Sequence, residues 1–316
     1  MNKVVVITGA SSGIGRSLAL TFHNYGFKVF ATSRNIERMN DMLEMGIKVL
    51  ELDVTSQDSI EQTIKGIVEV EGRIDILINN AGITMFGPAI EVPMIDLRTL
   101  FEVNFFGLIA TTNQVAPHMI NARKGIIINI GSVAAWNGMP FGSSYSSSKA
   151  ALHNWSDALR MELDPFNIKV ITIAPGPIST GIIEKATPLL DHIMERSVYR
   201  AIASDINNRP QMSKSRQVPV QSFADFVLST IFSRRIPANA AFGPGSVILR
   251  FLSYLPTWLS DYILKKQFGL AKLKSIIQKA DKDNRPSNPV DLSNNNNNNN
   301  FNQPDIVEVG KEQSTE

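Results

Sequence analysis

The sequence predicts an α/β fold: a doubly wound parallel sheet of about seven strands, with helices on both faces, in a single domain. Three observations carry that expectation. A short, β-branched, continuously apolar run, Val4-Val-Val-Ile7, opens the 316 residues as a strand buried on both faces requires, and further strand candidates such as Gly125–Ile130 recur along the chain. Helical patterns alternate with them, which means parallel strands joined by right-handed crossovers. A glycine-rich turn, Thr8-Gly9-Ala-Ser11-Ser12-Gly13-Ile14-Gly15, joins the first strand to the first helix.

In order, the strands are expected at 3–8, 27–32, 48–52, 74–78, 125–130 and 168–174, with a short last one near Ala240-Ala-Phe242. The turn at 8–15 lets backbone approach a pyrophosphate with a helix N-terminus behind it. The second strand ends in Ser33-Arg34, where an acidic residue would hold a ribose 2′-hydroxyl and an arginine accommodates a 2′-phosphate; Arg34 favours NADP(H), with NAD(H) as the alternative. Asp53 and Val54 follow the third strand, Asp53 either on the ligand side of the sheet or as the cap of a helix over 56–72. Asn79-Asn80-Ala81-Gly82 follows the fourth. A continuous helix over 95–121 carries Asn104 among Phe101, Val103, Phe105 and Phe106, where a polar amide must find partners. The fifth strand ends at Gly131-Ser132, and the sixth runs into Pro175-Gly176-Pro-Ile178-Ser-Thr180. The pattern weakens over 181–218, as in a mobile lid, and returns in a helix over 220–232.

Tyr145 and Lys149 open a further helix at spacing i, i+4 and therefore share a face. A tyrosine hydroxyl has a pKa of roughly 10, and an ammonium within reach lowers it toward the range of acid–base work. The composition, 43% apolar and 19% charged, is that of a globular chain with a sizeable core, and the net charge of +2 gives no argument for nucleic acid. There are no cysteines, and the four histidines have no ligand spacing, so no metal site is expected. Val4–Ile7 is too short for a signal peptide and no apolar run reaches about 18 residues. A cytoplasmic, non-secreted protein is expected, with the surface of a membrane as a second location.

Together, Thr8-Gly9-x-x-x-Gly13-x-Gly15, Asp53, Asn79-Asn80-Ala81-Gly82, Asn104, Ser132, Tyr145-x-x-x-Lys149 and Pro175-Gly176 resemble the short-chain dehydrogenase/reductase family over about residues 3–245. The resemblance implies a Rossmann-type fold and a catalytic set of Asn104, Ser132, Tyr145 and Lys149. Tyr145 would exchange a proton with the substrate oxygen, and Lys149 would lower its pKa and hold the nicotinamide ribose. Ser132 would hold the carbonyl, and Asn104 would anchor a water relaying protons from Lys149. Gly9, Ser11, Ser12, Gly13, Ile14 and Gly15 would line the pyrophosphate. Asp53 and Val54 would meet the adenine end, and Asn80, Ala81 and Gly82 the ribose region. Pro175, Gly176, Ile178 and Thr180 would dock the nicotinamide. The stretches 29–35, 50–55 and 174–180 are similar to the 17β-hydroxysteroid-dehydrogenase-like branch, which implies an apolar carbonyl or alcohol as partner: a steroid, retinoid or lipid-like ketone. Ser146-Ser-Ser148 departs from an alanine common between the tyrosine and the lysine, without changing their spacing. A homo-oligomer, paired through the helices after Asn80 and Ser143, is a further family expectation. A catalytically silent nucleotide sensor, or a lipid-surface binding protein, is the alternative on the same fold.

An extension over 246–279 follows this 1–245 domain. Its apolar, aromatic part, 246–270, carries Arg250, Lys265 and Lys266 and is broken by Pro256. It is read first as a cover for the pocket or a subunit interface, and second as a peripheral membrane contact. From 280 to 316, around the polyasparagine run Asn294–Asn300, the composition cannot bury enough surface to order itself, and a disordered tail is expected.

Overall fold

The protein is represented by a computed structural model that describes residues 3–214 and 217–283, so all but the first few residues of the expected tail lie outside the described residues. By contacts the chain divides into 1–276 and 277–316, and the first unit holds the sheet and the site. Seven strands form one sheet: β1 (Val4–Thr8), β2 (Lys28–Ser33), β3 (Lys48–Glu51), β4 (Ile76–Asn79), β5 (Gly125–Ile130), β6 (Ile168–Pro175) and β7 (Asn239–Phe242). Their spatial order is β3-β2-β1-β4-β5-β6-β7, and every pair is parallel. Strand order reverses between β1 and β4, so the crevice above their carboxyl ends is where such a sheet takes a ligand.

Alternation along β1 shows how the core is divided. Val5 and Ile7 pack on one face with Leu18 and Phe22 of α1 (Gly13–Asn24) and Met42 of α2 (Asn40–Glu44). Val4 and Val6 pack on the other with Ile60, Ile64 and Ile67 of α3 (Gln57–Glu71). The spacing of those three isoleucines, i, i+4, i+7, gives α3 its apolar stripe; Ser56 caps it by accepting from the Ser59 N–H, and Gly72 ends it in the left-handed region. The fourth strand starts two residues later than expected, and just before it the Asp75 carboxylate accepts from the Val4 N–H at 2.9 Å and pairs with Arg73.

Two expectations need correction. The helix over 95–121 is three pieces: α4 (Met94–Phe101), a wide π turn (Glu102–Phe106) and α5 (Gly107–Ala122). The segment of weaker pattern over 181–218, read as a mobile lid, contains α7 (Ile182–Met194) and α8 (Ala203–Lys214), which follow α6 (Ser143–Leu163). Ile183, Ala186, Leu190 and Met194 form the stripe of α7, and Pro188 on its other side obscures the pattern. They bury themselves with Ile202, Ile206, Leu252, Leu264 and Phe268, in a third cluster beside the sheet. That cluster joins α7 and α8 to α10 (Ser246–Leu252) and α11 (Thr257–Gln267), while α9 (Val220–Ile231) packs Phe223 and Val227 on the α1 face. The last described helix is α12 (Leu270–Asp283). Among the described residues no helix is long and apolar enough to cross a membrane.

Candidate active site

A cavity of about 450 Å³ opens above the carboxyl ends of the strands. The turn after β1 forms one end: Gly9 and Ser11 to Gly15 all line it. Gly9 is at φ +68°, and a Cβ there would stand 2.8 Å from the Ala81 Cα; at Gly15 a Cβ would run into the Gly9 carbonyl and the Asn80 amide. The turn is tied to the end of β4 by Thr8, whose hydroxyl accepts from the Asn80 and Ala81 N–H groups, and by Asn80, whose amide donates to the Thr8 and Gly9 carbonyls at 2.8 and 3.1 Å. Ser12, at the N-cap of α1, makes no side-chain capping bond, which leaves the first N–H groups of α1 directed at the cavity.

Arg34, Asp53 and Val54 line the same end. Arg34 is exposed and has no hydrogen bond or ion pair among the described residues. Asp53 is not the cap of α3: its carboxylate accepts from the Thr55 N–H and hydroxyl, a local Asx turn that holds the corner after β3.

Ala81, Gly82, Tyr145, Lys149, Pro175 and Thr180 line the middle. Burial presses on both members of the helical pair. It raises the Tyr145 hydroxyl above its ordinary value, with the hydrogen bond to Ser132 acting the other way, and it brings Lys149 down to about 8. The ammonium donates to the Ile130 carbonyl at 2.8 Å. The lowered phenol expected from the spacing is therefore not what this arrangement gives; desolvation outweighs a lysine turned toward β5.

Ser132 and Asn104 stand behind the lining. The Ser132 oxygen accepts from the Ala134 N–H, and its own N–H donates to His153 Nε2 at 3.3 Å. Asn104 sits on the π turn, almost fully buried; its Oδ1 accepts from the Ile83 N–H, and its Nδ2 donates to the Ile83 carbonyl and the Ser148 hydroxyl. A Cβ on Gly82 would lie 3.2 Å from Asn104 Oδ1 and 3.7 Å from Lys149 Nζ, so both groups face one narrow gap. Gly176 and Ile178 do not line the cavity. Gly176 donates to the Phe242 carbonyl and packs against the chain at Pro244, and Ile178 is buried among the α1-side core.

Sequence reasoning missed Thr8, Ser148 and His153, whose work is to hold other residues. His153 follows Lys149 by one helical turn. Burial, helped by the Lys149 charge, holds it down at about 4, so its imidazole is neutral and free to accept from Ser132. Also missed was the helical end of the cavity, lined by Met85, Ile182, Ala186 and Leu189. The i, i+4, i+7 spacing of the last three was the available signal. Among the described residues no cluster of His, Asp or Glu could hold a metal ion.

Residues 3–189 match the family model for short chain dehydrogenases. The chain is 32% identical to the NADPH-dependent 1-acyldihydroxyacetone phosphate reductase of Saccharomyces cerevisiae over 292 residues, 89% of this chain and 96% of that protein. It is 37% identical to the protein of the same description from Schizosaccharomyces pombe over 237 residues, 73% and 79% of the two chains. Among solved structures, a short-chain dehydrogenase from Streptomyces avermitilis superposes with a TM-score of 0.71 at 25% identity, covering 91% of this chain and 98% of that one. The protein belongs to the short-chain dehydrogenase family and is an oxidoreductase of that family.

Proposed function

We propose that the protein is an NADP(H)-dependent reductase that interconverts a carbonyl and a hydroxyl on an apolar, lipid-like substrate, with Tyr145 as the general acid and base. The observation that carries this reading is the graded lining of the cavity above the strands. A glycine turn and uncapped helix N-terminus lie at one end, Tyr145 and Lys149 in the middle, and the apolar wall of Met85, Ile182, Ala186 and Leu189 at the other.

The residues present fit a dinucleotide phosphate. The cradle at Gly9 and Gly15 is too tight for a Cβ, so backbone can meet a pyrophosphate closely, and Arg34, without an ion pair among the described residues, offers its guanidinium where a 2′-phosphate would sit. Both yeast relatives are described as NADPH-dependent. When bound, the nicotinamide supplies or accepts the hydride, and the chain handles the proton.

In reduction, the substrate oxygen gains negative charge as its carbon is attacked. Tyr145, a phenol protonated at neutral pH, gives its proton to that oxygen, and Ser132 donates a second hydrogen bond to it. His153 supports this by accepting from the Ser132 N–H, which fixes the serine backbone without placing a positive charge beside it. Lys149, carrying its proton below about pH 8, stands within the same turn to stabilise the phenolate that Tyr145 leaves. Asn104 holds Ile83 against α6, and the remaining lone pair of its Oδ1 toward the Gly82 gap is where a relay water would be held. The acyl ketone phosphates that the yeast relatives' description names make a long-chain acyl ketone phosphate the first substrate to test, ahead of a steroid.

The test is NADPH and NADH oxidation by the full chain against an acylated dihydroxyacetone phosphate, a long-chain ketone, a steroid ketone and a short sugar ketone. Turnover is expected with NADPH on the acylated ketones. Tyr145→Phe is expected to lower kcat by about 10²–10⁴-fold while NADPH affinity stays nearly unchanged. Tight NADPH binding by the wild type without turnover of any ketone would point to a silent sensor, and a fully active Tyr145→Phe would remove tyrosine from its role.

A further inference from the structure

The helices α10 and α11 have two unlike faces. Leu252 and Leu264 turn into the cluster shared with α7, and Asn137 donates to the Leu249 carbonyl at 2.8 Å, tying α10 to the loop that follows Ser132. Over α10, α11 and the turn between them stand Val247 (81% exposed), Ile248, Phe251, Tyr254 (72%), Trp258 (72%) and Tyr262, all large, apolar or aromatic, and in solvent. The reading of this stretch as plain core holds for the inner face alone. Six such side chains on 16 consecutive positions (247–262) are more than the scattered single exposures of an ordinary surface.

Charge decides what could cover them. From 246 to 267 the chain has three basic residues, Arg250, Lys265 and Lys266, against one acidic, Asp261. The Arg250 guanidinium lies 5.2 Å from the Trp136 ring and 5.3 Å from that of Tyr254. Along α11, Trp258, Tyr262 and Lys266 succeed one another at i, i+4, i+8, so one row runs from indole to phenol to ammonium. Lys265 pairs with Asp261 on the surface, which leaves Lys266 without an acidic partner among the described residues. A two-fold contact between copies would bring two faces of the same positive sign together. Aromatic rings with amphipathic bodies, flanked by long cations that can reach past them, suit the boundary between acyl chains and anionic headgroups.

We propose that the outer face of α10 and α11 docks on an anionic membrane surface. Ile182 and Ala186 line the cavity on one side of α7, while Ile183 and Ala186 pack in the cluster that α10 and α11 cover. Docking would thus hold the apolar end of the cavity beside the lipid. The proposal does not depend on which substrate is reduced, because its readout is partition and not turnover.

The full chain is mixed with phosphatidylcholine vesicles with and without phosphatidylserine, and partition is read by sedimentation. The wild type is expected to bind the phosphatidylserine vesicles, less so at high salt, with Trp258 emission quenched by brominated acyl chains. Phe251→Ser with Trp258→Ser and Tyr262→Ser should lower partition by at least about tenfold. Lys265→Gln with Lys266→Gln should lower it on the phosphatidylserine vesicles alone. NADPH binding checks that each variant is folded; if the triple variant fails it, the lysine pair and loss of the quench in Trp258→Phe decide. Equal partition of wild type and variants, no wild-type binding, or a triple variant that only changes the oligomeric state would each overturn the proposal, the last in favour of a second copy as the occupant.

Discussion

The two ends of the cavity are held open by different means. At the glycine-turn end, backbone is set against backbone: Gly9 against Ala81, Gly15 against its own turn, and Thr8 and Asn80 lacing them together. At the helical end nothing is so tight. Ile182, Ala186 and Leu189 line it because the neighbouring positions Ile183, Leu190 and Met194 are packed behind. The first end is specified by what cannot be added, the second by how much volume is filled. A glycine turn leaves few acceptable sequences, whereas many apolar sets fill a cluster, so substrate choice can drift at one end while cofactor geometry stays fixed at the other.

Three substitutions would break or sharpen that contrast. Leu190→Ala, at a position 1% exposed in the third cluster, should destabilise the fold by about 2–5 kcal/mol and raise KM for an apolar ketone, with NADPH affinity unchanged. Urea unfolding and steady-state kinetics read both; a loss of NADPH affinity equal to the loss for the ketone would mean the ends are not separate. Gly15→Ala should do the reverse. Its Cβ has no room, and a strain of about 1–3 kcal/mol should weaken NADPH binding roughly 10–100-fold, measured by quenching of intrinsic fluorescence. Smallest is Arg34→Asp, which should turn the ratio of kcat/KM for NADPH over NADH by about tenfold toward NADH. No turn would leave Arg34 a solvated surface charge.

The same contrast explains what the sequence could disclose. The strands of the sheet, the turn after β1 and the Tyr145–Lys149 pair are legible because chain geometry forces them: alternation, glycine and helical spacing have few alternatives. Of the residues read from the sequence, Gly9, Ser11 to Gly15, Asn80 to Gly82, Tyr145 and Lys149 come together around one cavity, while Asn104, Ser132, Gly176 and Ile178 fall behind its lining. What stayed hidden depends on tertiary partners. His153 looks like any helical histidine until Gly131 is packed against it and Ser132 donates to it. The pKa of Tyr145 follows burial, which no i, i+4 spacing records. The stripe of α7 was present in the letters but interrupted by Pro188, and it became a helix because the cluster around Leu252 and Phe268 gave it something to cover.

The π turn at Glu102–Phe106 makes one part of the protein sensitive to counting. An α-helix advances about 100° per residue, and a π turn takes one residue more than an α turn to come round. Asn104 faces Ile83 and Ser148 only because that additional residue is present. A substitution at Phe105 or Phe106 changes a side chain and leaves the phase alone. Deleting either would wind α4 and α5 into one regular helix and rotate everything before the gap by more than a quarter turn. The segment should therefore accept changes of letter far more readily than changes of length, a signature to look for in any set of variants recovered by selection.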